Sequence, residues 1–188
     1  RPPEDIAGIR HPIIGFSGSL DHGIDYDLLQ LVAHQHGDKS FVFVGNVTDD
    51  ARDRFFSIID ANANCRYLGA KQWIMLPVYI REFDIAIIPY RLTDFNRARI
   101  APLKLVEYLA AGKLAVTRFP TAPVLSDSVF AAEDPERFSQ AIPMALRRSG
   151  KGDQAARTST LVRGCSWTEK AAQVSELIEA AAARKRHR

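Results

Sequence analysis

Cysteine is scarce in this chain: Cys65 and Cys165 are its 2 thiols among 188 residues. So wide a separation makes neither a disulfide framework nor a metal cluster, and it suits a reducing cytosol, with each thiol expected to be inert. Long apolar runs are missing as well. No stretch approaches the roughly 18 consecutive apolar residues of a membrane span. Internal repeats, low-complexity linkers and a signal-peptide pattern are also lacking. The chain opens on Arg1 rather than Met, so it is read as a fragment or processed product of something longer. Charge of one sign is barely in excess, with 25 Lys and Arg against 22 Asp and Glu leaving +3. Much of that surplus sits in the tail Arg184, Lys185, Arg186 and Arg188, with His187 between. The tail reads as a solvated helix end suited to the dipole, with peripheral contact to an anionic membrane face as its other use. Nucleic acid is not expected as a partner.

What is present describes a soluble domain with a real core: 46% hydrophobic and 25% charged residues. Length allows one sizeable domain. Apolar runs alternate with helical patterns. PIIGFSG (12–18), FVFVG (41–45), CRYLG (65–69), DIAIIPY (84–90), LAVT (114–117) and the weaker SVFAAE (128–133) read as strands. Helical periodicity covers 25–36, 50–61, 73–83, 102–112, 135–148, 155–164 and 167–185. Pro77 is expected to shorten, kink or break its helix and Pro143 to break the one it sits in. Strands that scarcely alternate in hydrophobicity, bounded by helices, predict an α/β domain with a doubly wound, mostly parallel, Rossmann-like sheet.

Such sheets bind ligands off the carboxyl ends of their strands. The loops there begin at Gly18, Gly45, Gly69, Pro89 and Arg118. Gly15, Gly18 and Gly23 do not fit the dinucleotide spacing, and no P-loop lysine follows, so dehydrogenase and kinase readings find little support. Gly18 either serves a simple turn or lets backbone approach a phosphate. APLKLVEYLAAGKLAVT (101–117) says more. With Pro102 as the first helical residue, the amides of Leu103 and Lys104 and the positive dipole end make an anion site, which the Lys104 ammonium strengthens. Glu107, one turn on, can accept hydrogen bonds from vicinal hydroxyls. Together they describe a nucleoside diphosphate, although the same two charges also make an ordinary i, i+3 ion pair.

PLKLVEYLAAGKLAVT resembles the signature of the carboxy-terminal, donor-binding domain of GT-B, group 1 family retaining glycosyltransferases. IIGFSGSLDHGIDYDLL resembles that family's first strand and phosphate loop, FVFVGN its second strand, and CRYLG its base-binding turn. CSWTEKAAQVSELIE resembles its tryptophan-marked helix, which crosses back toward the amino-terminal domain from about residue 165 onward. The resemblance runs over nearly all of 1–188. It implies that Glu107 grips the ribose, that the Leu103 amide and Lys104 hold the diphosphate, and that Gly18 and Ser19 form the loop facing it. Tyr67, Leu68 and Gly69 frame the base, with core packing as the other reading of Tyr67. The resemblance further implies that sugar passes from a nucleotide diphosphate donor to an acceptor hydroxyl without a metal or other cofactor. The acceptor-binding amino-terminal domain is absent from these residues, so the chain is expected to bind donor without turning over. A cytoplasmic setting, with cell-surface glycan or glycolipid synthesis as the process, follows from the same likeness.

Two departures qualify it. The family often carries a second glutamate eight residues before the first-named one, and here that position is Arg99. Arg97 or Arg99 could instead meet a phosphate or an acidic sugar. Where members place an arginine and a lysine after the first strand, this chain has Ser19, Asp21 and His22, of which His22 could donate to phosphate. A non-catalytic nucleotide-sugar module and a fragment of a nucleotide-sugar epimerase of the same fold stand as alternatives.

Overall fold

The computed structural model describes residues 1–94, 102–122, 125, 127–151 and 153–186. Six parallel strands form its sheet: β1 (Ile13–Ser17), β2 (Ser40–Val44), β3 (Cys65–Tyr67), β4 (Ile85–Ile88), β5 (Leu114–Thr117) and β6 (Val129–Ala131). Their spatial order is β3-β2-β1-β4-β5-β6. Register is set by pairs such as Gly15 with Val42, Phe43 with Tyr67 and Ala86 with Ala115. Every expected strand is present. The helices are α1 (Glu4–Ala7), α2 (Tyr26–Gln35), α3 (Arg52–Ala61), α4 (Leu76–Glu82), α5 (Leu103–Ala110), α6 (Pro135–Arg148), α7 (Gln154–Thr160) and α8 (Trp167–Arg186).

The uninterrupted apolar strands are explained by burial on both faces. Ile14, Phe16, Phe41, Phe43, Ile85 and Val116 pack on one side against Leu29 and Val32 of α2, Phe55 of α3 and Phe138 and Ile142 of α6. Ile13, Val42, Val44, Ala86, Ile88 and Ala115 face the other way, onto Tyr79 and Ile80 of α4 and Leu105, Tyr108 and Leu109 of α5. Successive residues alternate between the two cores, as a pleated strand requires.

Of three prolines, Pro77 marks a short helix as expected, while Pro102 and Pro143 resolve differently from expectation. Pro77 lies in the first turn of α4 and so begins that helix after a 3₁₀ turn at Trp73–Met75, a place where its missing N–H costs nothing. Pro102 is the residue before α5, extended at ψ 150°, so the first helical residue is Leu103. Pro143 does not break α6, which runs unbroken over 14 residues. A proline there leaves the carbonyl four residues back, that of Ser139, without its helical donor. His36 supplies one: its Nε2 lies 3.1 Å from the Ser139 carbonyl and 3.0 Å from the Ser139 hydroxyl. Because that hydroxyl donates to Gln35, Nε2 is the donor. At the far end, Ser166 and Glu169 cap α8 reciprocally, with the Ser166 hydroxyl donating to Glu169 at 2.6 Å and the Glu169 amide donating back at 3.2 Å. Among the described residues no helix is long and apolar enough to cross a membrane.

Candidate nucleotide site

The strand order reverses between β1 and β4, which opens a crevice at their carboxyl ends. Three glycines make the floor beside it. The Gly18 amide donates to the Val44 carbonyl at 2.8 Å, and the Gly45 amide donates to the Gly69 carbonyl at 3.0 Å. Gly45, at φ +150°, has no room for a side chain, since a Cβ would fall 1.9 Å from the Gly18 oxygen. Gly18 itself sits at φ +131°, and a Cβ there would meet the Lys104 ammonium nitrogen at 2.5 Å. The start of α5 is therefore folded directly over the end of β1, bringing Gly18 and Lys104 together.

The Lys104 ammonium is held against aromatic faces, 4.1 Å from the centre of the Phe16 ring and 5.1 Å from that of Tyr90. Such contacts attract a cation to the ring faces and fix its position. Leu103 is exposed at the first helical position, where helix geometry turns amides outward. Glu107 is half-buried one turn along. Burial pushes its carboxyl above the ordinary range, opposed by the nearby Lys104 charge.

Further contacts fix the loops around this crevice. Asp21 folds its own turn by accepting the Gly23 amide at 2.8 Å, and the Tyr26 hydroxyl donates to the Asp21 carbonyl at 3.0 Å. The Asp25 amide donates to Pro89 and the Arg91 amide to Gly23, both at 2.8 Å, tying the loop after β1 to the chain leaving β4. Ser19 and His22 are exposed on that loop. The His22 ring lies 3.6 Å from the Asp50 carboxylate.

Tyr67 is occupied within the fold. Its ring stands edge-on to Phe55 and Phe56, and its hydroxyl donates to the Gly45 carbonyl at 2.9 Å. It thus supports the floor of the crevice. The Leu68 amide donates to Phe43 at 2.9 Å, leaving Gly69 at φ +78° at the turn. Arg97 and Arg99 lie outside the described residues.

Two residues that sequence reasoning did not single out hold the crevice in shape. Tyr108, fully buried on the inner face of α5, takes the Ser17 amide on its hydroxyl at 2.8 Å. Burial raises its phenol above the usual range, so it stays neutral. Arg118, 8% exposed, follows β5. Its Nε donates to the Glu133 carbonyl at 3.1 Å, and its Nη1 pairs with Asp25, whose other oxygen accepts the Leu28 amide at 3.0 Å as the cap of α2. One side chain so joins the carboxyl ends of β5 and β6 to the start of α2. The sequence offered a place to look, from Arg118 onward, and no sign of its partner.

The fold that carries this crevice has counterparts among solved structures. Anabaena HepE, solved with UDP and glucose, superposes over 95% of this chain with a TM-score of 0.70 and 12% identity. WaaG, a glycosyltransferase involved in lipopolysaccharide biosynthesis, gives a TM-score of 0.58 at 16% identity over 89% of the chain. The chain has the Rossmann-like α/β fold that matches about half of a GT-B glycosyltransferase structure. A mutant of S. aureus TarM, solved with fondaparinux, α-GlcNAc-glycerol and UDP, matches at a TM-score of 0.58 and 14% identity over 87% of the chain. By sequence, the chain is 32% identical over 110 residues, 58% of its length, to TuaH of Bacillus subtilis (strain 168), provisionally named a teichuronic acid biosynthesis glycosyltransferase. No protein-family model matches. The chain spans 53% of HepE, 48% of WaaG and 27% of TuaH.

Proposed function

We propose that this chain is the donor-binding half of a glycosyltransferase that moves a sugar from a nucleotide diphosphate sugar to an acceptor hydroxyl in bacterial cell-surface glycan synthesis. One observation carries the reading: the Lys104 ammonium, backed by Phe16 and Tyr90, stands over Gly18 at the switch point, with Glu107 one turn behind. A diphosphate seated on the Gly18–Ser19 loop would meet that ammonium and the first amides of α5, and the ribose would reach the Glu107 carboxylate. As the glycosidic bond breaks, charge grows on the departing diphosphate, and a fixed ammonium with oriented amides stabilises it without reorganising. The reading asks no metal or other cofactor to share this task.

The neighbours' own ligands support this reading, since UDP is named in the structures of HepE and TarM. Cell-surface synthesis is supported by the names given to WaaG and TuaH. The acceptor would bind an amino-terminal domain elsewhere in the protein. Trp167, Val174, Leu177 and Ile178 are exposed along α8 and suit a contact with that domain. Calorimetric titration with UDP-, GDP- and ADP-sugars tests the proposal. Saturable binding of one nucleotide series supports it, and no binding across the panel removes it.

A further inference from the structure

A second concave site lies at the opposite, amino edge of the sheet. The turns leading into β1, β2 and β3 converge there around a cavity of about 380 Å³. Arg10, Lys39 and Arg66 line it, against the single carboxylate of Asp38. The turns are pinned to one another. The Asn64 side-chain amide donates to the carbonyls of Ala33, His36 and Lys39 at 3.1, 3.2 and 3.0 Å. The Ser40 hydroxyl donates to the Arg10 carbonyl at 2.6 Å, and the Ser40 amide to Pro12 at 3.0 Å. Arg66 is oriented in turn, its Nη1 donating to the Ala63 and Cys65 carbonyls at 2.6 and 2.8 Å. Its remaining N–H groups are thereby aimed away from those carbonyls.

Asp38 cancels one of these three charges, pairing with Lys39 at 2.8 Å. That leaves two exposed guanidinium groups at one rim. Concave walls focus a field of one sign. Guanidinium groups match phosphate oxygens with paired N–H donors. A phosphate is bound best by donors held in place beforehand, and the two carbonyl contacts of Arg66 hold one of them.

We propose that this cavity binds a phosphate group, either a free phosphate or the head group of an anionic phospholipid. The site is separate from the crevice at the carboxyl edge and does not depend on the nucleotide reading. Residue-resolved NMR of the 188-residue chain titrated with inorganic phosphate tests it. The expected result is saturable shifts of the Gly8 and Gly37 amides, with affinity falling tenfold or more in R10Q/R66Q. The single Arg10→Gln variant, which leaves the Arg66 anchor intact, is expected to lose several-fold and keeps the test readable if the double variant unsettles the turn. Sedimentation with phosphatidylglycerol vesicles, against phosphatidylcholine controls, separates the sources. Sedimentation abolished by Arg10→Gln assigns the head group, and retained phosphate shifts without sedimentation assign free phosphate. Absent or unsaturable shifts at those amides, or affinity in both variants equal to that of the unaltered chain, overturn the proposal.

Discussion

Replacing Gly18 with alanine tests whether the space above β1 is reserved for an anion and its lysine. The new Cβ would lie 2.5 Å from the Lys104 nitrogen and 3.0 Å from its Cε, so the ammonium must leave its seat on Phe16. The methyl group would also intrude where a phosphate is to approach the backbone. Losing one charge-assisted contact costs about 1.5–3 kcal/mol, or roughly ten- to hundredfold in affinity. A separate penalty falls on folding, since φ +131° strains any residue bearing a Cβ, by about 1–3 kcal/mol. Gly150→Ala provides the comparison: at φ +69° in open space it carries strain without collision, far along the chain at the end of α6. Calorimetry with UDP, beside thermal melts, separates the two costs. Both variants should lower the melting temperature, and Gly18→Ala alone of the two should weaken UDP at least tenfold. Equal nucleotide affinity in the two variants would refute the reasoning.

The supporting contacts make their own predictions. Tyr108→Phe strands the buried Ser17 amide and should cost about 1–3 kcal/mol in chemical denaturation, so an unchanged midpoint would show that the hydroxyl is dispensable. Arg118→Met leaves Asp25 without its partner; removing one member of a buried pair costs about 3–5 kcal/mol, and the partial exposure of Asp25 places this case near 3 kcal/mol. A loss below 1 kcal/mol would argue against the latch. His36 is held neutral in the fold, its pKa lowered chiefly by burial and then by Lys39. Its folded pKa lies below the unfolded one, so its contribution is complete above the ordinary histidine range and is lost as pH falls through it. Melting temperature should drop between pH 7 and pH 5, and less steeply in His36→Gln; identical slopes would contradict this.

Much of the fold was legible because the strands are buried on both faces and read as plain apolar runs. PIIGFSG, FVFVG and DIAIIPY needed no partner to be recognised. The prolines were harder, because a local rule counts a missing N–H without seeing who replaces it. Pro143 is tolerated because His36, just past the end of α2 and 103 residues from Ser139 in sequence, supplies the donor. The site shows the same division. Lys104 and Glu107 stood out as charges on an apolar helix whose start lies at the ligand-bearing edge, whereas the approach of Lys104 to Gly18 is displayed only by the folded chain. Tyr108 and Arg118 looked like ordinary core and loop residues, since their partners Ser17 and Asp25 lie 91 and 93 positions away. Tyr67 is an aromatic whose packing against Phe55 and Phe56 only the folded sheet displays.

The central claim is that the crevice between β1 and β4 grips a nucleoside diphosphate through Lys104 and Glu107. Glu107→Ala, titrated with the nucleoside diphosphate that binds the unaltered chain, tests it most directly. A lost charged hydrogen bond predicts a weakening of about 1–3 kcal/mol, with the thermal melt unchanged or slightly raised because a half-buried carboxylate is removed. Unaltered affinity in a folded Glu107→Ala chain would contradict the account.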